Sequence, residues 1–155
     1  APPDRTSFPT RRSSDLNACV DAGAGWGHKQ RPDPNGRHLM FYDNAAATTN
    51  VVIRHNIFCN ATDSLLRLSG RDWTAALAMD HNCWYQPRGP VLLWGRQTVG
   101  VEEFARFMQA RGFDRHSLLA DPKFLDAARH DYRLAPDSPA RALAGQGASA
   151  RALSD

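Results

Sequence analysis

Short stretches of Val, Ile, Leu and aromatic residues, four to six positions long, recur between polar turns along most of the chain. VVIRHNIFC (51–59) lines up with LAMDHNCWY (77–85) at an offset of 26: Ile53 falls on Met79, His55 on His81, Asn56 on Asn82 and Phe58 on Trp84. Leu65–Leu68 falls on Val91–Trp94 at the same offset, and one step back Leu39–Tyr42 takes that place. GWGHKQ (25–30) then faces VVIRHN (51–56), with Gln30 beneath Asn56. A fixed period of this length marks stacked supersecondary units. The turns PDPNG (32–36), NATD (60–63) and QPRG (86–89) break any 3.6-residue pattern, so the units are strands. The pattern predicts an all-β fold: a right-handed parallel β-helix of about three coils over 17–97. Asn56 and Asn82 are read as ladder residues, with Asn tolerating the left-handed conformation of a sharp bend.

One segment has helical spacing. In VEEFARFMQARG, Val101, Phe104, Phe107 and Met108 share a face, Glu102 and Glu103 lie near the start and Gly112 follows the end. These features predict an amphipathic helix near 100–111 that caps the open end of the solenoid. Segment 98–140 is assigned to this cap and a closing strand region, and 141–155 to a frayed tail. Ser7–Leu16 reads SFPTRRSSDL, the translation of one frame of a short-read sequencing adapter. Residues 1–16 are therefore expected to be extraneous and disordered, with the natural chain extending upstream of Asn17.

Composition narrows the function classes. With 42% hydrophobic residues in 155, the chain can build one core. A net charge of +3 with scattered basic residues gives no reason to expect nucleic acid as a partner. No apolar run is long enough to span a membrane. Cys19, Cys59 and Cys83 have no metal-ligand spacing and read as buried thiols. His28 and His38, ten residues apart with no third partner, do not define a metal site, and none is expected. Asp33-Pro34-Asn35-Gly36 is similar to part of a calcium loop but is more simply a tight turn, so no cofactor is evident and Ca2+ is left open without support.

The end of the chain carries a resemblance. Asp121, Pro122, Phe124, Asp126, Asp131, Tyr132, Arg133, Leu134, Pro136, Ser138, Pro139 and Ala140 match a closing motif, Asp-Pro-x-Phe-x-Asp, then Asp-Tyr/Phe-Arg-Leu-x-Pro-x-Ser-Pro-Ala. That motif, with rung text like VVIRHNIFCN, resembles bacterial right-handed β-helix proteins that act on polysaccharides. His55 departs from the Asn usual there. The resemblance implies a secreted, periplasmic or cell-surface protein with a polysaccharide partner. It implies either a lyase or glycoside hydrolase, of which this chain is the C-terminal part, or a non-catalytic glycan-binding or structural protein.

Candidate residues follow from that expectation. In the strands 39–42, 65–68 and 91–94, Met40, Tyr42, Leu66, Leu68, Leu92 and Trp94 are expected to point inward, and Phe41, Arg67 and Leu93 outward. A lyase needs a base and a cation, for which Lys29, Arg37, His38 and Arg67 qualify by residue type. A hydrolase needs two carboxyls across a groove, for which Asp33, Asp63 and Asp72 qualify. Phe41 and Trp73 can stack on sugar rings, and Arg31 and Arg88 can pair with uronate carboxylates. The block 25–38 departs most from the repeat and is the strongest candidate for a functional loop.

Overall fold

The structure, a computed structural model, describes residues 17–25, 27, 29–30, 35–43 and 48–143, and the backbone of 12–15. Strands follow in the order β1 (Arg12–Asp15), β2 (Ala18–Ala22), β3 (Arg37–Phe41), β4 (Val51–Arg54), β5 (Ile57–Ala61), β6 (Ser64–Leu68), β7 (Leu77–Asp80), β8 (Cys83–Tyr85), β9 (Leu92–Trp94) and β10 (Gln97–Val99). After helix α1 (Val101–Gln109) come β11 (Leu118–Leu119), β12 (Phe124–Asp126) and β13 (Asp131–Leu134), with 3-10 turns at Ala127–Arg129 and Pro139–Leu143.

The first sheet has the order β1-β4-β7, the second β11-β8-β5-β2 and the third β10-β9-β6-β3. Apolar side chains of successive strands meet between them: Phe58 stacks on Trp84 with centroids 4.5 Å apart, and Ile53, Leu66, Leu68, Met79 and Leu92 are buried. Each large side chain so buried contributes about 2 kcal/mol. On α1, Phe104 packs edge-on against Trp84 and Phe107 against Trp94, which is why the helix forms at this end of the core. Val101, expected on the same apolar face, is instead exposed.

These facts correct the expectation of one all-β, right-handed solenoid. Among the described residues the strands form four sheets with mixed pairing: β9/β10 and β12/β13 are antiparallel, and these sheets do not close into a single solenoid. Helix α1 and two 3-10 turns also take it out of the all-β class. The physical reason is that the 26-residue spacing is local. It relates β4 to β7, β5 to β8 and β6 to β9, as in Val51 opposite Leu77, Ile57 opposite Cys83 and Leu66 opposite Leu92. Elsewhere Ala18 lies opposite Ile57, an offset of 39, and Cys83 opposite Leu118, an offset of 35.

Most of the excess in the first interval is an excursion between β2 and β3. Its two ends touch: a side chain on Gly23 would lie 2.7 Å from the Gly36 Cα, and one on Gly36 would overlap the Ala22 carbonyl. Gly23 is also left-handed (φ 82°), so both positions need glycine. It is Arg12–Asp15 that pairs with Val51–Arg54, where the repeat puts 25–30. Asn17, not Gln30, lies beneath Asn56 and donates to its Oδ1 from the backbone at 3.1 Å. The 1–16 segment, expected to be disordered, contributes β1, which pairs in parallel with β4.

The C-terminal motif folds over the outside of the second sheet. β12 and β13 pair antiparallel, with the Asp126 carboxylate accepting from the Arg129 backbone N–H and His130 turning the chain at φ 62°. Ser138 Oγ donates to the Pro122 carbonyl at 2.5 Å, and Lys123 pairs with Asp137 at 2.6 Å. Ala140 and Leu143 then pack on Cys83, alongside Ile57, Leu118 and Leu134. Residues 144–155, most of the expected tail, lie outside the described residues.

Candidate functional site

The third sheet carries four of the predicted site residues, Arg37, His38, Phe41 and Arg67, and its register decides which are available. Leu39 lies opposite Leu66, Met40 opposite Arg67 and Phe41 opposite Leu68, an offset of 27 rather than 26. One residue of slip exchanges the two faces of a strand. Phe41 therefore packs into the core, 5.4 Å from the Trp73 ring, while Tyr42 is 60% exposed. Trp73 is fully buried, donates Nε1–H to the Ser69 carbonyl and lies under the Arg71 guanidinium at 3.9 Å. Neither ring forms a platform for sugar stacking, which corrects both assignments.

The outward row of this sheet is Met40, Arg67 and Leu93 in register, with Thr98 opposite Leu93. Arg67 is half-buried and has no ion-pair or hydrogen-bond partner among the described residues. Arg37 and Asp63 are brought together: Nε donates to Oδ2 at 2.5 Å. The guanidinium also reaches Asn35 Oδ1 at 3.4 Å. Arg88 and Lys29 are exposed on separate loops. Arg31 and Asp33 lie outside the described residues.

The other predicted catalytic groups are tied into local structure. His38 Nε2 faces two carbonyls, Asn60 at 2.8 Å and Cys59 at 3.2 Å, so it must be the protonated nitrogen that donates. Burial pushes the His38 imidazole below its usual pKa, against the opposing effect of those carbonyls and of Asp21. The Asp72 carboxylate caps a turn, accepting from the Thr74 backbone at 2.9 Å and its hydroxyl at 2.8 Å, and these bonds lower its pKa. Asp63 and Asp72 are each engaged by other partners, Arg37 and Thr74.

A second constellation stands where the first sheet turns into the second. His55 and His81 occupy equivalent bends, both left-handed (φ 56° and 57°). The left-handed residue is thus the His before each Asn, not Asn56 or Asn82 themselves. The Asn side chains instead form a ladder: Asn56 N–H donates to Asn82 Oδ1 at 3.1 Å, and Asn82 Nδ2 donates to the Ile53 carbonyl at 3.0 Å and Asp114 Oδ1 at 3.2 Å. Ser117 Oγ closes the series, donating to Asp114 Oδ1 at 2.5 Å and accepting from Asn82 N–H at 2.8 Å. Burial raises the Asp114 pKa, opposed by the hydrogen bonds from Ser117 and Asn82.

Outside this ladder the imidazoles stack, His55 to His81 at 5.1 Å and His81 to His116 at 5.0 Å. Asp80 Oδ2 lies 2.8 Å from His116 Nδ1 and 3.4 Å from His81 Nδ1. Asp80 Oδ1 accepts the backbone N–H of both His116 (2.7 Å) and His81 (3.0 Å). Burial opposes the Asp80 charge, but bonds from His116 and His81 hold its pKa below the ordinary value. Sequence reasoning missed this group. Asp80-His81 is adjacent in the chain, but His116 follows 35 residues later with no motif spacing to announce it.

The cysteines are free thiols; Cys59 and Cys83 are buried, as expected, and Cys19 is half-buried. Burial pushes Cys59 up to about 11 and Cys83 up to about 12, which removes them as nucleophiles near neutral pH.

No protein-family model matches the chain, and no solved structure does. The chain is similar to the uncharacterized protein YwoF of Bacillus subtilis (strain 168), with 34% identity over 108 residues, which is 68% of this chain and 22% of YwoF. It thus spans about a fifth of the length of that curated relative.

Proposed function

We propose that this chain is a non-catalytic glycan-binding module of a longer exported or cell-surface protein, with acidic polysaccharide as its ligand. One observation carries the choice of binding over cleavage. Three of the candidate acids and bases are engaged in the fold, Asp63 by Arg37, Asp72 by Thr74 and His38 by two carbonyls, whereas Arg67, in an outward row, has no partner among the described residues. A guanidinium there can pair with a uronate carboxylate in two parallel hydrogen bonds. Met40 and Leu93 on either side offer apolar contact to a sugar face. The polysaccharide class rests on the resemblance of the closing motif, and the longer parent on the partial overlap with YwoF.

Affinity electrophoresis in gels containing polygalacturonate tests the reading. The chain should be retarded, and Arg67→Ala should weaken retention about 10-fold, the equivalent of about 1.4 kcal/mol. Incubation should release no reducing ends and no unsaturated products absorbing in the near ultraviolet. Release of either by the purified chain, lost in Arg37→Ala, would instead establish a cleaving enzyme.

A further inference from the structure

From the geometry at the end of β7, we infer that Asp80, His81 and His116 form a binding site for a divalent transition-metal ion of the zinc class. The donor atoms Oδ2 and the ring nitrogens of the two histidines all lie within 4.8 Å of one another. Ligands held about 2.0–2.1 Å from a tetrahedral ion stand roughly 3.3 Å apart. The two Asp80–His separations, 2.8 and 3.4 Å, bracket that value. The His81 and His116 donor nitrogens lie within 4.8 Å of each other, and closing that edge requires the rings, now at an interplanar angle of 28°, to rotate so that their in-plane lone pairs converge.

The carboxylate is set for this role before any ion arrives. Oδ1 is occupied by two backbone N–H groups, which fixes the plane of the carboxylate and leaves Oδ2 toward the imidazoles. His81 is held by its bend between β7 and β8, and His116 by the segment between α1 and β11, so the ion would join parts of the chain 35 residues apart. The His81 and His116 side chains are 42% and 66% exposed, which leaves the remaining coordination positions to water or an outside ligand. Two nitrogens and one oxygen suit zinc, cobalt or nickel, whereas calcium requires a shell of oxygens. His55 stacks on His81 and bonds the Leu143 carbonyl through Nδ1 at 2.7 Å, but its donor atoms are not in the cluster formed by Asp80, His81 and His116.

The inference is independent of the glycan reading. Calorimetric titration of the untagged full chain with zinc chloride tests it. One ion should bind per chain, and His116→Ala and Asp80→Asn should each weaken binding at least about 10-fold. Asp80→Asn keeps an oxygen for both backbone N–H groups, so it separates loss of the ligand from loss of the turn, with circular dichroism to confirm the fold. His130→Ala, on the β12–β13 hairpin, should bind as the parent does. Cobalt(II) should give a visible absorption band in the parent that is absent from His116→Ala. Parent affinity no tighter than that of His116→Ala, or equal weakening by His130→Ala, would overturn the site.

Discussion

His38 shows how a residue chosen for its chemistry can turn out to serve the fold. Its ring is half-buried, with Nε2–H shared between the Cys59 and Asn60 carbonyls. Its folded pKa lies below the 6.5 of a free imidazole because burial penalises the cation. Its contribution to stability is thus complete above pH 6.5 and is lost as pH falls through the folded value, where the native ring must also charge. Urea midpoints should fall more steeply between pH 7 and 5 for the parent than for His38→Gln. Parallel curves for the two would contradict the assignment. At this scale little of the site was legible. His38, Asp63 and Arg37 were found by type, but type does not say that a side chain is already bonded. Trp73 looked available because a loop position was assumed exposed, whereas burying its ring and satisfying its N–H on Ser69 is more favourable.

Between elements, the bend joining the first and second sheets is held by the asparagine series rather than by apolar contact. The Asn82 side chain is fully buried and bonds Asn56, Ile53 and Asp114. Asn82→Ala strands the Asn56 N–H and removes one of the two donors to Asp114 Oδ1, leaving Ser117 alone, and should cost about 2 kcal/mol in equilibrium unfolding. The strands themselves were largely legible: the apolar runs at 51–59, 77–85, 65–68 and 91–94 all became strands or strand pairs, and the helical spacing after 100 became α1. Register was legible only where the period held. Gly23 and Gly36 pinch off an excursion whose length no hydrophobic pattern encodes, and one further residue before β4 turns Phe41 inward and Tyr42 outward. Periodicity reports what packs, so an insertion that packs on nothing in the repeat shifts the count unseen.

At the scale of the molecule, mixed pairing sets the architecture. β10 turns back on β9 and the β12–β13 hairpin folds outside the second sheet, so the strands end in antiparallel pieces that a uniform repeat cannot supply. The residues of the closing motif find a physical account here. Ser138 ties back to Pro122, and Ala140 and Leu143 seal the outer surface over Cys83. That seal makes a chemical clock of the thiol beneath it. Cys83 is fully buried and its pKa is about 12, so alkylation requires the lid of Ala140 and Leu143 to lift first. Leu143→Asp should speed modification of Cys83 by iodoacetamide about 10-fold or more, read by peptide mass spectrometry, while Cys59 on the neighbouring strand changes less. The rate at which one sulfur is marked would then count the breaths of the C-terminal segment, on a chain that is otherwise still folded.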